Sequence, residues 1–114
     1  MKLIDQIKVQ AQLDKLAKTD VYLHLETTNG AYAGHHNTGL AVGAFIRNVQ
    51  LKYEHGKIRG VNPYRIGLKL EFGWVYAEGV THFEIDENDR LLLAGLNPEG
   101  KLAVALQISK EPFN

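Results

Sequence analysis

Alternating apolar and polar positions dominate the chain after residue 20. Side chains two apart in a strand lie on the same face of a sheet, so this alternation predicts strands with one buried face. Residues 64–72 show the pattern most clearly, and their predicted core positions are Tyr64, Ile66, Leu68, Leu70 and Phe72. Further predicted strands are 21–28, 45–53, 74–77, 80–85, 91–96 and 102–108.

In the segment 45–53, Phe45, Val49, Leu51 and Tyr53 are predicted to face the core. Arg47 interrupts that face, so we expect it near a sheet edge or beside an acid. Residues 54–57 have the composition of a hairpin turn, and 86–89 and 97–100 are further predicted turns. Strands joined by such short turns predict a curled antiparallel sheet that is barrel-like or sandwich-like.

The first 18 residues follow a different period. Leu3, Ile4, Ile7 and Ala11 share one stripe of a helix, and no Gly or Pro interrupts residues 2–18. The sequence therefore predicts a mostly β (α+β) fold in a single domain, 1–114, with a helix at 1–18 and an antiparallel β region at 21–109.

Composition excludes several classes of protein. The 114 residues include no cysteine, which excludes disulfides and zinc sites with sulfur ligands. No stretch approaches the ~20 apolar residues of a membrane span, and the N-terminus has no apolar signal region. We therefore expect a cytoplasmic protein. Its formal net charge is +0, whereas nucleic-acid-binding domains usually carry a basic excess.

The charges are nevertheless divided along the chain. Residues 44–70 carry six basic residues and one acid, and residues 71–100 carry seven acids and one base. These charges could pair across the outer faces of neighbouring strands. They could instead form one basic and one acidic patch that meet in a symmetric homodimer.

Two His-x-Glu triplets could supply metal ligands. His24 and Glu26 share a face of one predicted strand, and His82 and Glu84 share a face of another. If the two strands were neighbours, four ligands suited to zinc or manganese could converge. The alternative is that both triplets are ordinary exterior residues without a metal.

A glycine-flanked loop contains the candidate ligand-binding residues His35, His36, Asn37 and Thr38. Its histidines could act as acid and base, and its amides could hold an anion. A polar surface loop without a ligand is the simpler interpretation. Ser109 is the only serine and has no nucleophile motif around it, so the catalytic residues stay unknown.

Aromatic residues gather between positions 64 and 83, interleaved with Arg65 and Lys69. Aromatic and basic side chains on a curled sheet can bind single-stranded nucleic acid by stacking. Tyr64 and Phe72, however, share a face with core positions, and the net charge makes nucleic acid the less favoured partner.

Three segments resemble the YojF-like family of small uncharacterised Bacillus proteins: VYLHLETTNGAY at 21–32, GVNPYRIGLKL at 60–70 and GWVYAEGVT at 73–81. The resemblance implies a compact, largely β protein with no defined catalytic motif. It also implies an association with a zinc-dependent deacetylase of amino-sugar intermediates in thiol biosynthesis.

Together these features favour a non-enzymatic accessory or small-ligand-binding domain, forming a homodimer and needing no cofactor. The alternative is a small metal-dependent hydrolase or isomerase that uses His24, Glu26, His82 and Glu84, with His35 or His36 as acid or base.

Overall fold

The structure is a computed structural model that describes residues 1–28 and 43–114. Its elements in chain order are β1 (Lys2–Leu3), α1 (Gln6–Leu16), β2 (Val21–Thr27), β3 (Ala44–Leu51), β4 (His55–Gly60), β5 (Tyr64–Leu70), β6 (Gly73–Val80), β7 (His82–Ile85), β8 (Leu91–Leu96) and β9 (Leu102–Ser109). A six-stranded antiparallel sheet has the order β1-β7-β8-β9-β2-β3, and a three-stranded antiparallel sheet has the order β4-β5-β6.

One hydrophobic core joins the two sheets and the helix. Its fully buried members come from α1, from both sheets and from the link between β3 and β4; the largest are Tyr53, Leu13, Leu16, Leu23, Ile58, Ile66, Leu68, Leu91, Leu93, Leu106 and Ile108. The mostly β prediction with one N-terminal helix is confirmed, and in the described residues the sheets are sandwich-like rather than closed into a barrel. No helix in this part of the chain is long and apolar enough to cross a membrane.

The helix is shorter than the sequence pattern predicts. Asp5 caps its start, because the Asp5 side chain accepts a hydrogen bond from the Lys8 amide at 3.1 Å. Before this cap, Leu3 pairs with His82 of β7 and the Ile4 amide donates to the Thr81 carbonyl at 3.1 Å. The expectation of helix from residue 2 was wrong, because β7 leaves an edge that the first residues complete.

The predicted turn at 54–57 was also wrong, since β4 begins at His55. Its inward positions are Gly56 and Ile58, so the sequence shows little apolar alternation there. A Cβ on Gly56 would lie 3.0 Å from the Leu68 side chain and 3.3 Å from those of Leu13 and Tyr53. Glycine at this position therefore allows α1 and Tyr53 to pack closely on the strand.

Tyr53 holds the C-terminal part of the helix by two hydrogen bonds. Its buried hydroxyl donates to the Leu13 carbonyl at 2.6 Å, and its own carbonyl accepts from the Lys18 amide at 2.8 Å. Burial raises the pKa of Tyr53, and the negative charge of Asp14 adds to this shift. Tyr53 therefore stays a neutral donor, and its predicted core position is confirmed.

Three other predicted core positions are exposed. Phe72 is 90% exposed, because β5 ends at Leu70 and Phe72 lies in the following turn. Phe45 is 65% exposed, because a bulge opposite Leu23 and His24, with Asn48 at φ 59, reverses the alternation of β3. Val49 remains opposite Leu23, but β3 is an edge strand and leaves Val49 half exposed. Arg47 does lie at a sheet edge, as expected.

Helix α1 covers the free edge of β4. Gln10 Nε2 donates to the Gly56 carbonyl at 2.8 Å, while Gln10 Oε1 accepts from the Ile58 amide at 3.1 Å. Gln6 Nε2 donates to the Ile58 carbonyl at 3.3 Å. The amide of Gln10 thus replaces the hydrogen bonds of a neighbouring strand, and this edge is closed to pairing with another chain.

Asp86 closes the turn between β7 and β8. Its Oδ1 accepts from the Asn88 and Arg90 amides, each at 3.0 Å, and its Oδ2 accepts from Arg90 Nε at 2.6 Å. The side chain is 5% exposed. Burial alone would raise the pKa of Asp86, but hydrogen bonds from the Arg90 amide, the Arg90 guanidinium and the Asn88 amide outweigh it and lower that pKa.

Replacement of Gln10 by leucine should lower the free energy of unfolding by about 1–3 kcal/mol, because the Ile58 amide and Gly56 carbonyl lose their partner. Chemical denaturation measures this change. Lys8→Leu is the matched control, since it alters an exposed position of the same helix and should stay within about 0.5 kcal/mol of wild type. Equal loss in the two variants would contradict the edge-covering role of Gln10.

Asp86→Asn should lower the free energy of unfolding by about 1–2 kcal/mol near pH 7, because it removes the charge from the hydrogen bonds to Arg90. A carboxyl with a lowered folded-state pKa stabilises fully above its unfolded pKa of about 3.9 and loses that effect as the pH falls through the folded value.

The difference between wild type and Asp86→Asn should therefore be constant from neutral pH down to about 5 and shrink below about 4. Denaturant unfolding at a series of pH values measures it. Glu87→Gln, on the neighbouring exposed residue, serves as the control and should show no such trend. A difference that persists in acid would exclude this role for Asp86.

Candidate functional site

The outer face of the three-stranded sheet carries a concentration of basic and aromatic side chains. Strand alternation turns Ile58, Ile66 and Leu68 inward, so the intervening side chains point away from the core. We call this surface the basic-aromatic face and define it by Lys57, Arg59, Arg65, Lys69, Trp74 and Tyr76. All of these residues except Lys69, together with His55 and Gly67, line a shallow groove of about 350 Å³.

The aromatic rings of this face are stacked. The rings of Trp74 and Tyr76 have centroids 5.5 Å apart and an interplanar angle of 6°. Their side chains stay 49% and 46% exposed. Gly67, which pairs with Tyr76 across the sheet, makes room for the ring, because a Cβ there would lie 3.0 Å from Tyr76 Cε1. The two rings therefore form a half-open platform on the sheet surface.

Cations flank both rings. The Arg65 guanidinium lies 4.3 Å from the Tyr76 ring centroid, and Lys69 Nζ lies 5.4 Å from that of Trp74. The imidazole of His55 meets Trp74 edge-on, with centroids 6.1 Å apart. The rings and the positive charges thus belong to one continuous surface.

One carboxylate lies beside this face. Glu78 pairs with Arg65 across β5 and β6, with Arg65 Nε 3.3 Å from Glu78 Oε1. Within the described ranges, Lys57, Arg59 and Lys69 form no salt bridge. The face therefore keeps a net positive charge, although the chain as a whole is neutral.

Sequence patterns identified only part of this surface. The pairing of aromatic residues with Arg65 and Lys69 was visible, but the contribution of Lys57 and Arg59 was missed because β4 was not predicted. The sequence of β4 has little apolar alternation, because one of its two inward positions is Gly56, against which α1 packs.

The two His-x-Glu triplets lie on the same face of the six-stranded sheet but do not meet. Strands β8 and β9 separate His82 and Glu84 on β7 from His24 and Glu26 on β2. Three strand spacings amount to about 14 Å, whereas zinc ligands lie about 2 Å from the metal. Among the described residues, no three His, Cys, Asp or Glu side chains are placed to hold one metal ion.

His24 is 6% exposed and both of its ring nitrogens are engaged. Arg47 Nη1 lies 3.1 Å from His24 Nδ1, and Glu26 Oε1 lies 3.3 Å from Nε2. Because a guanidinium only donates hydrogen bonds, Nδ1 accepts, and the Glu26 carboxylate lies within ion-pair distance of Nε2. This arrangement holds the imidazole in place and leaves neither nitrogen free for proton transfer.

The His24 ring also helps to fix the end of the chain. Its ring meets Phe45 and Phe113 edge-on, with centroids 5.2 and 6.4 Å away. Arg47 Nη2 donates to the main-chain oxygen of Asn114 at 2.9 Å, and Asn48 exchanges two hydrogen bonds with the backbone of Phe113. The cluster therefore joins β2, β3 and the last residues, which is a structural role.

The structure describes two of the other predicted site residues, His82 and Glu84. His82 Nδ1 lies 2.7 Å from Thr81 Oγ1, and Glu84 lies 3.8 Å from the N-terminal amine. The candidates His35, His36, Asn37 and Thr38 lie outside the described residues. A concavity of about 380 Å³ beside Glu84 has no stacked rings, and its lining consists of Met1, Lys2, Lys8, Phe83, Glu84 and Ile85.

Comparison with known proteins gives one consistent relationship. The family described as protein of unknown function (DUF1806) matches residues 3–113. The uncharacterized protein YojF of Bacillus subtilis (strain 168) is 53% identical over 114 residues, covering 99% of this chain and 98% of that protein. The crystal structure of Bacillus subtilis YojF has a TM-score of 0.84 at 50% identity, covering 99% of this chain and 96% of that one.

His24→Leu should lower the free energy of unfolding by about 1–3 kcal/mol, because it removes a buried ring together with its contacts to Arg47 Nη1 and Glu26. Denaturant unfolding measures the loss, and amide hydrogen exchange should show faster exchange in β3. Glu26→Gln keeps an acceptor for Nε2 and should cost about 1 kcal/mol or less. A His24→Leu variant as stable as wild type would rule out the structural role.

Proposed function

The chain belongs to the DUF1806 family of proteins of unknown function, and from this premise we propose that it is a non-enzymatic accessory domain that binds an anionic ligand on its basic-aromatic face. The observation that carries the proposal is the group of Lys57, Arg59 and Lys69, which have no carboxylate partner in the described structure, beside the exposed rings of Trp74 and Tyr76.

The chemistry of the face supports binding rather than catalysis. Its cations can neutralise an anion, and its rings can pack on a flat group of the ligand. The neighbouring carboxylate of Glu78 is engaged with Arg65, and His55 is the other side chain of the groove that could take up a proton.

Several acids of residues 71–100 have partners within the chain. Asp86 is bound by Arg90, Asp89 lies 2.9 Å from Lys15 Nζ, and Glu84 lies near the N-terminal amine. These local pairs weaken the argument for a dimer built from one basic and one acidic surface. The homodimer stays a prediction, and the mass of the chain in solution at low salt tests it.

Two other expectations also stay predictions. The association with a zinc-dependent deacetylase rests on the family resemblance, and co-purification of the two proteins from the native host tests it. The metal-dependent hydrolase or isomerase would need the two His-x-Glu triplets to act together. Native mass spectrometry of tag-free chain would detect a bound zinc or manganese ion.

Trp74 is the only tryptophan of the chain, so intrinsic fluorescence reports directly on the proposed surface. Inorganic polyphosphate added at low salt should change the Trp74 emission in a saturable way, because bound phosphate draws Lys69 away from the ring. The effect should weaken as salt rises, since the attraction is electrostatic.

The double variant Lys57→Glu/Arg59→Glu should abolish the change, while Lys8→Glu/Lys110→Glu makes the same change of net charge on other surfaces and should preserve it. Unchanged emission of the wild-type chain with polyphosphate at low salt would overturn the proposed function.

A further inference from the structure

We infer that the ligand of the basic-aromatic face is single-stranded nucleic acid. The inference rests on the proposed function and narrows its anionic ligand to one chemical class. It comes from the joint placement of a stacking platform and a row of cations on one flat sheet, which is the combination that proteins use to bind unpaired bases together with their phosphates.

The exposed aromatic rings favour a ligand that has flat groups as well as negative charge. A phosphate or carboxylate group would need only the cations, yet Trp74 and Tyr76 on β6 remain half exposed and parallel beside them. Bases are flat and can continue such a stack, and each base stacked on an aromatic side chain contributes about 1–3 kcal/mol. Phe72, in the turn just before Trp74, adds a third exposed ring at the same end of the sheet.

The cations are spaced to follow a backbone. Lys57 and Arg59 lie two apart on β4, a strand distance of about 6.8 Å, and Lys69 lies across β5 beside Trp74. A strand whose bases reach the rings of β6 would therefore have positive charge beside it on β4 and β5.

The geometry favours a single strand over a duplex. Bases in a duplex are stacked on each other, so flat rings on a sheet would meet only the sugar-phosphate backbone. Proteins that recognise base pairs in a duplex usually insert an α-helix or a two-stranded β-ribbon into its major groove. Here α1 is held against β4 by Gln6 and Gln10, and the rings lie within a three-stranded sheet.

The geometry also favours nucleic acid over an acidic protein segment. An extended peptide commonly binds by adding a strand to a sheet edge. The β4 edge is occupied by the side chain of Gln10, so beside β4 a ligand meets the basic-aromatic face rather than a bare strand edge. On that face, the exposed surface between the cations consists of aromatic rings.

The test measures the affinity of the full chain for a fluorescein-labelled oligothymidylate of about 12 nucleotides by fluorescence anisotropy. An abasic oligonucleotide of the same length and charge, the matching duplex, polyphosphate and poly-glutamate are measured as competitors. Oligothymidylate should bind at least about 5-fold more tightly than its abasic analogue, which corresponds to one stacked base.

Trp74→Ala should weaken oligothymidylate binding by about 5- to 150-fold and leave polyphosphate binding unchanged. Phe45→Ala removes an exposed ring from the other sheet and should leave both affinities unchanged.

If Lys57, Arg59 and Lys69 each contact one phosphate, the slope of log affinity against log salt should be about −2. Lys57→Gln/Arg59→Gln should reduce its magnitude by about 1.4, and Lys8→Gln/Lys110→Gln should not alter it.

The outcomes separate this inference from the proposed function. Equal affinity for oligothymidylate, abasic oligonucleotide and polyphosphate, with no effect of Trp74→Ala, would overturn the nucleic-acid inference and leave anion binding in place. Duplex or poly-glutamate that binds as tightly as oligothymidylate would overturn it as well. Failure of every polyanion to bind would remove both. Circular dichroism and thermal unfolding confirm that each variant is folded before its affinity is compared.

Discussion

Burial of the inner face of the three-stranded sheet determines what its outer face can be. Ile58, Ile66 and Leu68 must lie in the core that this sheet shares with α1 and the six-stranded sheet. Since side chains of a strand alternate, the residues between them have to face outward. The same constraint that builds the core thus gathers basic residues from two strands and aromatic residues from a third on one surface. The residues of the proposed binding face therefore lie on strands and not on loops.

Helix α1 takes the place of a further strand beside β4. The amide of Gln10 satisfies the hydrogen-bonding groups at the edge of β4, and Gly56 allows Leu13 and Tyr53 to approach the same strand closely. A bare edge would invite pairing with another chain. Because α1 covers this edge, no further strand extends the sheet beyond β4. The outer face of the sheet remains exposed, which is consistent with binding by its side chains.

The cluster around His24 and the basic-aromatic face differ in how many of their polar groups have hydrogen-bond or salt-bridge partners. His24 has a partner at each ring nitrogen, and Arg47 also binds the main-chain oxygen of Asn114. This cluster holds β3 and the last residues against β2. On the basic-aromatic face, by contrast, Lys57 and Arg59 form no salt bridge within the described structure. The proposed binding surface thus differs from the His24 cluster in having cations without a carboxylate partner beside exposed rings.

The sequence by itself determined the fold class, the helix and most of the strands, because alternation and helical periodicity are local properties of the chain. It also gave the correct family from short segments. It did not determine β4, whose inward positions are a glycine and one isoleucine, or the bulge at Asn48 that turns Phe45 outward. Only the tertiary structure decided that β8 and β9 separate His24 from His82, and that Lys57 and Arg59 lie beside Trp74. Strand order and register depend on contacts between residues far apart in the chain, and no local pattern records them.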